Sequence, residues 1–172
     1  MESISYEQLD RLFTSFEREA LHLEMRDAYG TAVELPHLRK WLNGEPDDLD
    51  WLQDWFNTVR AGTAAGKTFR RARIVSEPVS EYQHWVLKDT HLYVDAGEDI
   101  RWVPRRLVST VALPGNDFWL FDRELVVFLI FAGNGLVMEY LSTTESSAIE
   151  LCVTAFERVW ELSIPDSGYQ PS

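Results

Sequence analysis

The sequence predicts an α+β fold in which N-terminal helices pack on a mixed sheet of about five strands, closed by a C-terminal helix. Two observations in the C-terminal half support this class. Leu125–Phe131 is an unbroken apolar run, which is typical of a central strand covered on both faces. Further on, Ile149, Cys152, Phe156 and Trp160 belong to an apolar stripe with three- and four-residue spacing, which indicates an amphipathic helix.

Residues 1–66 are predicted to be an N-terminal helical region. Ser3 or Ser5 can cap a first helix, and a short helical or turn segment follows at Leu38–Leu42. The acidic stretch 45–50 is interpreted as the N-cap and first turn of a further helix, where the helix dipole favours negative charge. The apolar face of the first helix is expected to contain Leu9, Leu12, Phe13, Phe16, Ala20 and Leu23.

Residues 67–164 are predicted to be an α/β sheet region that forms one globular unit with the first. Thr68–Ser76 alternates between an apolar face and a basic face, as a half-buried strand does. A helix over 80–92 and a second strand at Ile100–Pro104 would complete a βαβ unit. The remaining elements are strands at 118–121, 125–131 and 136–141, a helix at Glu145–Leu162, and a flexible tail at 165–172.

The net charge and the first residues of the sequence indicate which partners and which cellular compartment to expect. With 16 Lys and Arg against 28 Asp and Glu, the net charge of −12 argues against a general binder of nucleic acid or anionic membrane. We therefore expect no direct nucleic-acid partner and no membrane partner. The sequence starts without a basic, apolar leader, and its longest apolar stretch is too short to cross a bilayer, so a cytoplasmic protein is expected.

The single cysteine, Cys152, excludes an intramolecular disulfide and reads best as a packed core thiol. His22 and Glu24 lack a third metal ligand at helical spacing, so no metal site is predicted. The chain contains no nucleophile elbow and no phosphate-binding Gly-rich loop, and His84, Lys88 and Asp89 do not match the phospholipase D pattern. No cofactor is predicted.

Arginines are the most suggestive polar feature. Residues 66–106 hold 8 of the 16 Lys and Arg, with Arg71 and Arg73 on one predicted strand and Arg101, Arg105 and Arg106 on or after the next. If the strands are neighbours, the guanidiniums could converge at a strand edge and hold a phosphate, a carboxylate or an acidic partner helix. The alternative is that they pair with carboxylates of the chain itself.

Six phrases, in order, resemble the actinobacterial family catalogued as domain of unknown function 6879. They are HLEMRDAYG (His22–Gly30), WLNGEPDD (Trp41–Asp48), RRARIVSEPVSEY (Arg70–Tyr82), AGEDIRWVPRR (Ala96–Arg106), LPGNDFWLFD (Leu113–Asp122) and AFERVW (Ala155–Trp160). The resemblance implies no established activity, but it implies a setting beside helix-turn-helix regulators and small companion proteins. The C-terminal half is also loosely similar to non-catalytic phospholipase D-like regulatory domains, on a strand ending in Phe121–Asp122 and the spacing of Phe156 and Trp160.

Together these points favour a non-catalytic intracellular regulatory protein working with a helix-turn-helix transcription regulator or a small companion protein. It would bind a protein partner or a small anionic ligand through the Arg-rich strand edge, with Trp85, Trp102 and Trp119 as anchors or as core. The alternative is an enzyme or toxin-like effector that acts on a phosphate-containing substrate and is neutralised by a companion protein. The predicted binding residues are Arg71, Arg73, Glu77, Tyr82, Arg101, Arg105, Arg106 and Asp117.

Overall fold

A computed structural model describes residues 1–171 and confirms the α+β class, with eight strands rather than about five. The strands are β1 (Glu2–Ile4), β2 (Glu19–Glu24), β3 (Thr68–Val75), β4 (Glu98–Pro104), β5 (Phe118–Phe121), β6 (Leu125–Phe131), β7 (Val137–Thr143) and β8 (Ile164–Pro165). The helices are α1 (Tyr6–Ser15), α2 (Leu35–Leu42), α3 (Gln53–Ala64), α4 (Glu81–Ala96) and α5 (Ser146–Glu161).

All eight strands belong to one mixed sheet with the order β1-β7-β6-β5-β2-β3-β4-β8. β2, β3 and β4 run parallel, and the other neighbouring pairs are antiparallel. The predicted βαβ unit is confirmed as β3, α4 and β4, and α3 makes an equivalent connection from β2 to β3. The sheet thus joins strands from both segments into which the sequence divides the chain.

The first helix is shorter than predicted, and its second half is a strand. Ser5 caps α1 as expected: its hydroxyl accepts from the Gln8 N–H, and its own N–H donates to the Gln8 side chain. The helix ends at Ser15, and residues 19–24 pair with β3 on one side and β5 on the other. Because both faces of this strand are covered, four successive residues are buried and no alternation marks it in the sequence.

The C-terminal segment is packed as far as the structure describes it. β8 pairs with β4, and the buried Tyr169 ring stacks on Trp102 with 5.2 Å between centroids. The Trp102 indole N–H donates to Asp166 at 2.8 Å. Residues 165–171 therefore differ from the flexible tail that the sequence predicts, and Ser172 lies outside the described residues.

The two faces of the sheet have different cores. α5 covers one face, where Cys152, Phe156 and Val159 pack against side chains such as Leu21 and Phe118. The predicted apolar stripe of this helix is therefore confirmed, with Cys152 in the core. α1, α3 and α4 lie on the opposite face, and side chains alternate between the faces along each strand, so one set of strand residues points toward these three helices.

No helix among residues 1–171 is both long enough and apolar enough to cross a membrane.

Candidate functional site

A cavity of about 350 Å³ lies on the face of the sheet that carries α1, α3 and α4. Its walls are mainly aromatic, and its polar groups gather at the carboxyl ends of β2 and β3. The aromatic walls include Trp51, Trp55, Trp85, Trp119, Tyr29 and Tyr82, and the polar lining includes His22, Glu24, Glu34, Arg71, Arg73 and Asp117. We call this cavity the aromatic pocket.

Strand register brings the polar lining together. His22 is paired with Arg71 of β3 and with Trp119 of β5, and Glu24 is paired with Arg73. Residues paired across neighbouring strands point to the same face. The adjacent strands β2 and β3 therefore place an imidazole, a carboxylate and two guanidiniums on one floor, and β5 adds the indole of Trp119.

Glu24 and Glu98 hold the two guanidiniums of the floor. Arg71 donates to Glu24 and to Glu98 at 2.6 Å each, and Arg73 donates to Glu24 at 2.8 Å and to Thr90 at 3.1 Å. Burial alone would raise the pKa of Glu24, but the charges of Arg73 and Arg71 outweigh it and hold that pKa well below its ordinary value. Carboxylates of the chain itself therefore form ion pairs with both guanidiniums, those of Arg71 and Arg73.

His22 is fixed from three directions. Its ring stacks on Trp119 with 4.1 Å between centroids and an interplanar angle of 2°. Nδ1 lies 2.8 Å from the carbonyl oxygen of Phe118, and because a carbonyl only accepts, Nδ1 carries a proton. Nε2 lies 3.4 Å from Oε1 of Glu24. Among residues 1–171, no three His, Cys, Asp or Glu side chains are grouped to hold a metal ion.

Two further carboxylates of the pocket have only neutral partners. Glu34 accepts from the hydroxyls of Thr31 at 2.6 Å and Tyr82 at 2.8 Å. Asp117 accepts from the backbone N–H of Met25 at 3.0 Å and from the hydroxyl of Tyr29. Burial is the main cause that raises the pKa of both acids. Within residues 1–171, no Lys, Arg or His side chain forms an ion pair with either one.

An aromatic stack closes one side of the pocket. His37 stacks on Trp51 with 4.5 Å between centroids, and Trp51 lies nearly parallel to Trp85, with 6.2 Å between centroids and 13° between planes. Asp47 accepts from the Trp51 indole N–H at 3.3 Å and bonds the His37 ring at 2.7 Å. The prediction that residues 45–50 cap a helix is thus wrong for Asp47, since α3 begins after Leu52 without a side-chain cap.

The predicted site residues divide between several places. Arg71, Arg73, Tyr82 and Asp117 line the aromatic pocket. The other four predicted residues lie outside it: Arg101 pairs with Asp99 and lies over Trp160 on the α5 face, Arg105 pairs with Asp27, and Arg106 pairs with Glu77.

Every arginine of the predicted set has a carboxylate of the chain beside it, which is the alternative that the sequence left open. All three tryptophans considered as anchors are buried, with Trp85 and Trp119 in the pocket wall and Trp102 in the core.

Sequence reasoning missed three residues that define the pocket. Glu24 was noted only as a weak metal ligand, but a carboxylate inside a buried strand is itself a signal, because a buried charge needs a partner. Glu34 and Trp51 lie outside the strands of the floor. Their position follows only from tertiary packing.

A family model described as "Domain of unknown function (DUF6879)" matches residues 7–171. No curated protein matches the chain.

Two solved structures share the architecture at 10% sequence identity. NucT from Helicobacter pylori has a TM-score of 0.55, and the match covers 98% of this chain and 96% of that one. TrmBL2, an archaeal chromatin protein whose structure is described as showing a novel mode of DNA binding, has a TM-score of 0.49 over 91% of this chain. The chain spans about half the length of TrmBL2, since the match covers 48% of it. At this identity the likeness shows the fold alone.

The partner prediction is corrected at this point. Net charge led to the exclusion of direct contact with nucleic acid, and the solved structures similar to this chain, which are NucT and a chromatin protein described as binding DNA, do not support that exclusion. The exclusion is therefore wrong. The helix-turn-helix regulator, the companion protein and the small anionic ligand named in the same prediction gain no support from these two structures.

Proposed function

We propose that this chain, which belongs to the DUF6879 family, binds a small organic molecule in the aromatic pocket. One observation carries the proposal: a cavity of about 350 Å³ whose walls are aromatic and whose few polar groups converge on its floor. Small-molecule sites are typically concave, mostly apolar cavities of about 300–1,000 Å³ with a few well-placed polar groups.

The polar groups of the pocket are held in place before any ligand arrives. Glu24 fixes both guanidiniums, Trp119 and the Phe118 carbonyl fix His22, and tyrosine hydroxyls fix Glu34 and Asp117. A preformed site loses little conformational freedom on binding, which favours affinity. These internal bonds also occupy the groups that a reaction would need free. A binding role without catalysis therefore fits the pocket better than an enzymatic one.

The phosphate-directed alternative has less support in this geometry. A phosphate would have to take the place of Glu24 or Glu98 on Arg71 and of Glu24 on Arg73. Breaking buried ion pairs of this kind costs several kcal/mol, about 3–5 kcal/mol for one partner removed. The regulatory role predicted from the sequence fits the pocket, since a domain that binds a ligand without reacting with it can signal to a partner that the ligand is present.

The test is a binding screen on the purified chain. A panel of neutral, cationic and anionic monocyclic aromatic molecules is titrated while tryptophan fluorescence and the unfolding temperature are recorded. We expect some members to quench the fluorescence and to raise the unfolding temperature, because a ligand that binds only the folded state stabilises it.

Two tryptophan variants locate the binding. Trp85→Ala removes a pocket wall, and Trp160→Ala removes a tryptophan from the α5 face as the matched control. Binding that weakens about tenfold or more in Trp85→Ala and persists in Trp160→Ala supports the proposal, since a lost aromatic contact is worth about 1–2 kcal/mol. A panel without any binder, or equal binding by both variants and the wild type, refutes it. Circular dichroism shows that each variant is folded at the titration temperature.

A further inference from the structure

Taking the proposed binding function as given, we propose that the ligand is an organic cation: an ammonium or amidinium group attached to a flat apolar body. The positive group would be balanced by the carboxylates of Glu34 and Asp117. This assignment is opposite in charge to the anionic ligand that the arginine pattern predicted.

The charges of the pocket floor do not cancel. Arg71 and Arg73 are balanced by Glu24 and Glu98, which form all their ion pairs. Glu34 and Asp117 then add two negative charges that have no ion-pair partner among residues 1–171. Even if His22 carries a positive charge, one negative charge of the pocket remains unbalanced.

Both unpaired carboxylates can accept more hydrogen bonds. An ionised carboxylate has about four acceptor positions. Glu34 uses two of them, for Thr31 and Tyr82, and Asp117 uses two, for Met25 and Tyr29. Both carboxylates line the aromatic pocket, and the rings of Tyr29 and Tyr82, which donate to them, are 5.7 Å apart. An ammonium group brings the donors and the charge that these oxygens lack.

Burying an unpaired carboxylate costs free energy, and the protein shows the consequence. Burial raises the pKa of Glu34 and of Asp117, because the ionised carboxylate loses the hydration that stabilises its charge in water. A bound cation would stabilise the ionised form of both groups. A cation beside these two carboxylates would therefore supply the ion-pair partner that the described residues do not give them.

The aromatic walls supply a second, independent reason. Trp55 and Trp119 already have the Arg71 guanidinium over their rings, at 5.8 and 5.6 Å from the centroids. Trp51 and Trp85 have no such cation from residues 1–171. Tryptophan is the ring that attracts cations most strongly. Both rings line the pocket, and the surface that His37 leaves uncovered on Trp51, together with Trp85, can contact the positive group or the flat body of a ligand.

The experiment compares three probes of similar shape and different charge by isothermal titration calorimetry at neutral pH. They are 2-phenylethylammonium, neutral 2-phenylethanol and the anion 3-phenylpropanoate. We expect the cation to bind at least about tenfold more tightly than the alcohol, and the anion to bind most weakly, given the usual strength of buried cation–π and ionic contacts. This order is read on the wild-type chain and needs no variant.

Two isosteric variants locate the charge. Glu34→Gln and Asp117→Asn should each weaken binding of the cation about tenfold, since each removes one charged contact, and should weaken binding of the alcohol much less. Glu150→Gln, an exposed position on α5, is the matched charge control.

The outcomes separate the two proposals. Equal affinity for the three probes, or preference for the anion, overturns the cation assignment and leaves the binding function intact. If both variants bind the cation as tightly as the wild type does, the assignment of the positive group to these two carboxylates is overturned. Failure of all three probes, when other aromatic molecules of the screen bind, overturns the cation assignment alone. Failure of every molecule in the screen overturns the binding function with it.

Discussion

Glu24→Gln is the substitution that tests the electrostatics of the pocket floor most severely. Glu24 is largely buried and accepts charged hydrogen bonds from Arg71 and Arg73 at 2.6 and 2.8 Å. Gln keeps the size but loses the charge and one acceptor oxygen. Arg71 keeps Glu98 as a partner, whereas Arg73, which is also buried, keeps only the hydroxyl of Thr90.

The expected loss in free energy of unfolding is about 3–5 kcal/mol at neutral pH, the usual cost of removing one partner from a buried ion pair. For a chain of this length that corresponds to a fall of roughly 6–20 °C in the unfolding temperature. Urea denaturation followed by tryptophan fluorescence measures the loss. Glu161→Gln is the control, because Glu161 pairs with Arg158 on the surface, where an ion pair is worth about 0–1 kcal/mol.

The loss should also depend on pH with a definite sign. The pKa of Glu24 is lowered in the folded chain, so its contribution is present above the ordinary value of 4.5 and disappears as the pH falls through the lower folded value. The difference between wild type and variant should therefore shrink below about pH 4.5. The variant should also gain affinity for 3-phenylpropanoate, because Arg73 loses its carboxylate. A loss no larger than that of Glu161→Gln, with unchanged binding of the anion, would refute the assigned network.

Three further predictions address the carboxylates, the core and a tight turn. Affinity for 2-phenylethylammonium should rise with pH through the raised pKa values of Glu34 and Asp117 and then level off, measured by calorimetry from acidic to neutral pH; a flat profile would contradict the assignment. The ionisable groups facing these two carboxylates are Glu24, Arg73, His22, Tyr29 and Tyr82. Burial raises the pKa of Cys152 to about 12, so an aromatic disulfide reagent should label this thiol only after denaturation; rapid labelling of the folded chain would place it elsewhere. Gly30→Ala should lower the free energy of unfolding by about 1–3 kcal/mol in urea, because its Cβ would clash with the Asn134 carbonyl oxygen, while Gly115→Ala, which has open space, should not.

The C-terminal half was the most predictable part of the fold. The strands at Phe118–Phe121 and Leu125–Phe131 have the predicted bounds, and the last helix begins one residue after its predicted start and ends one residue before its predicted end. Short apolar runs bounded by turn residues and a regular helical stripe are local signals, so the sequence displays them directly.

β2 was not predicted from the sequence because it lies at the centre of the sheet. Its residues are buried on both faces, and its Ala20 and Leu23 happen to continue the helical spacing of α1. Asp122, far along the chain, accepts from the backbone N–H groups of residues 17–19 and supports the turn into this strand. The helix therefore ends because of a contact that no local pattern contains.

The candidate site was predictable only in part, for the same reason. The alternation of Thr68–Ser76 correctly placed Arg71 and Arg73 on one face. The charge of the pocket depends on Glu34 and on the loop carrying Asp117, which come together only in the folded chain. The arginines of the sequence indicated an anionic ligand. In the structure Arg71 and Arg73 are paired with carboxylates, whereas Glu34 and Asp117 have no ion-pair partner among residues 1–171, which supports a cation instead.

The most direct measurement is a crystal structure of the chain with 2-phenylethylammonium bound. We predict that the probe occupies the aromatic pocket with its nitrogen about 3 Å from a carboxylate oxygen of Glu34 or Asp117, the distance of a charged hydrogen bond. The phenyl ring should lie against Trp51 or Trp85. A probe bound outside the pocket, or one inside it with the nitrogen directed away from both carboxylates, would contradict the cation assignment.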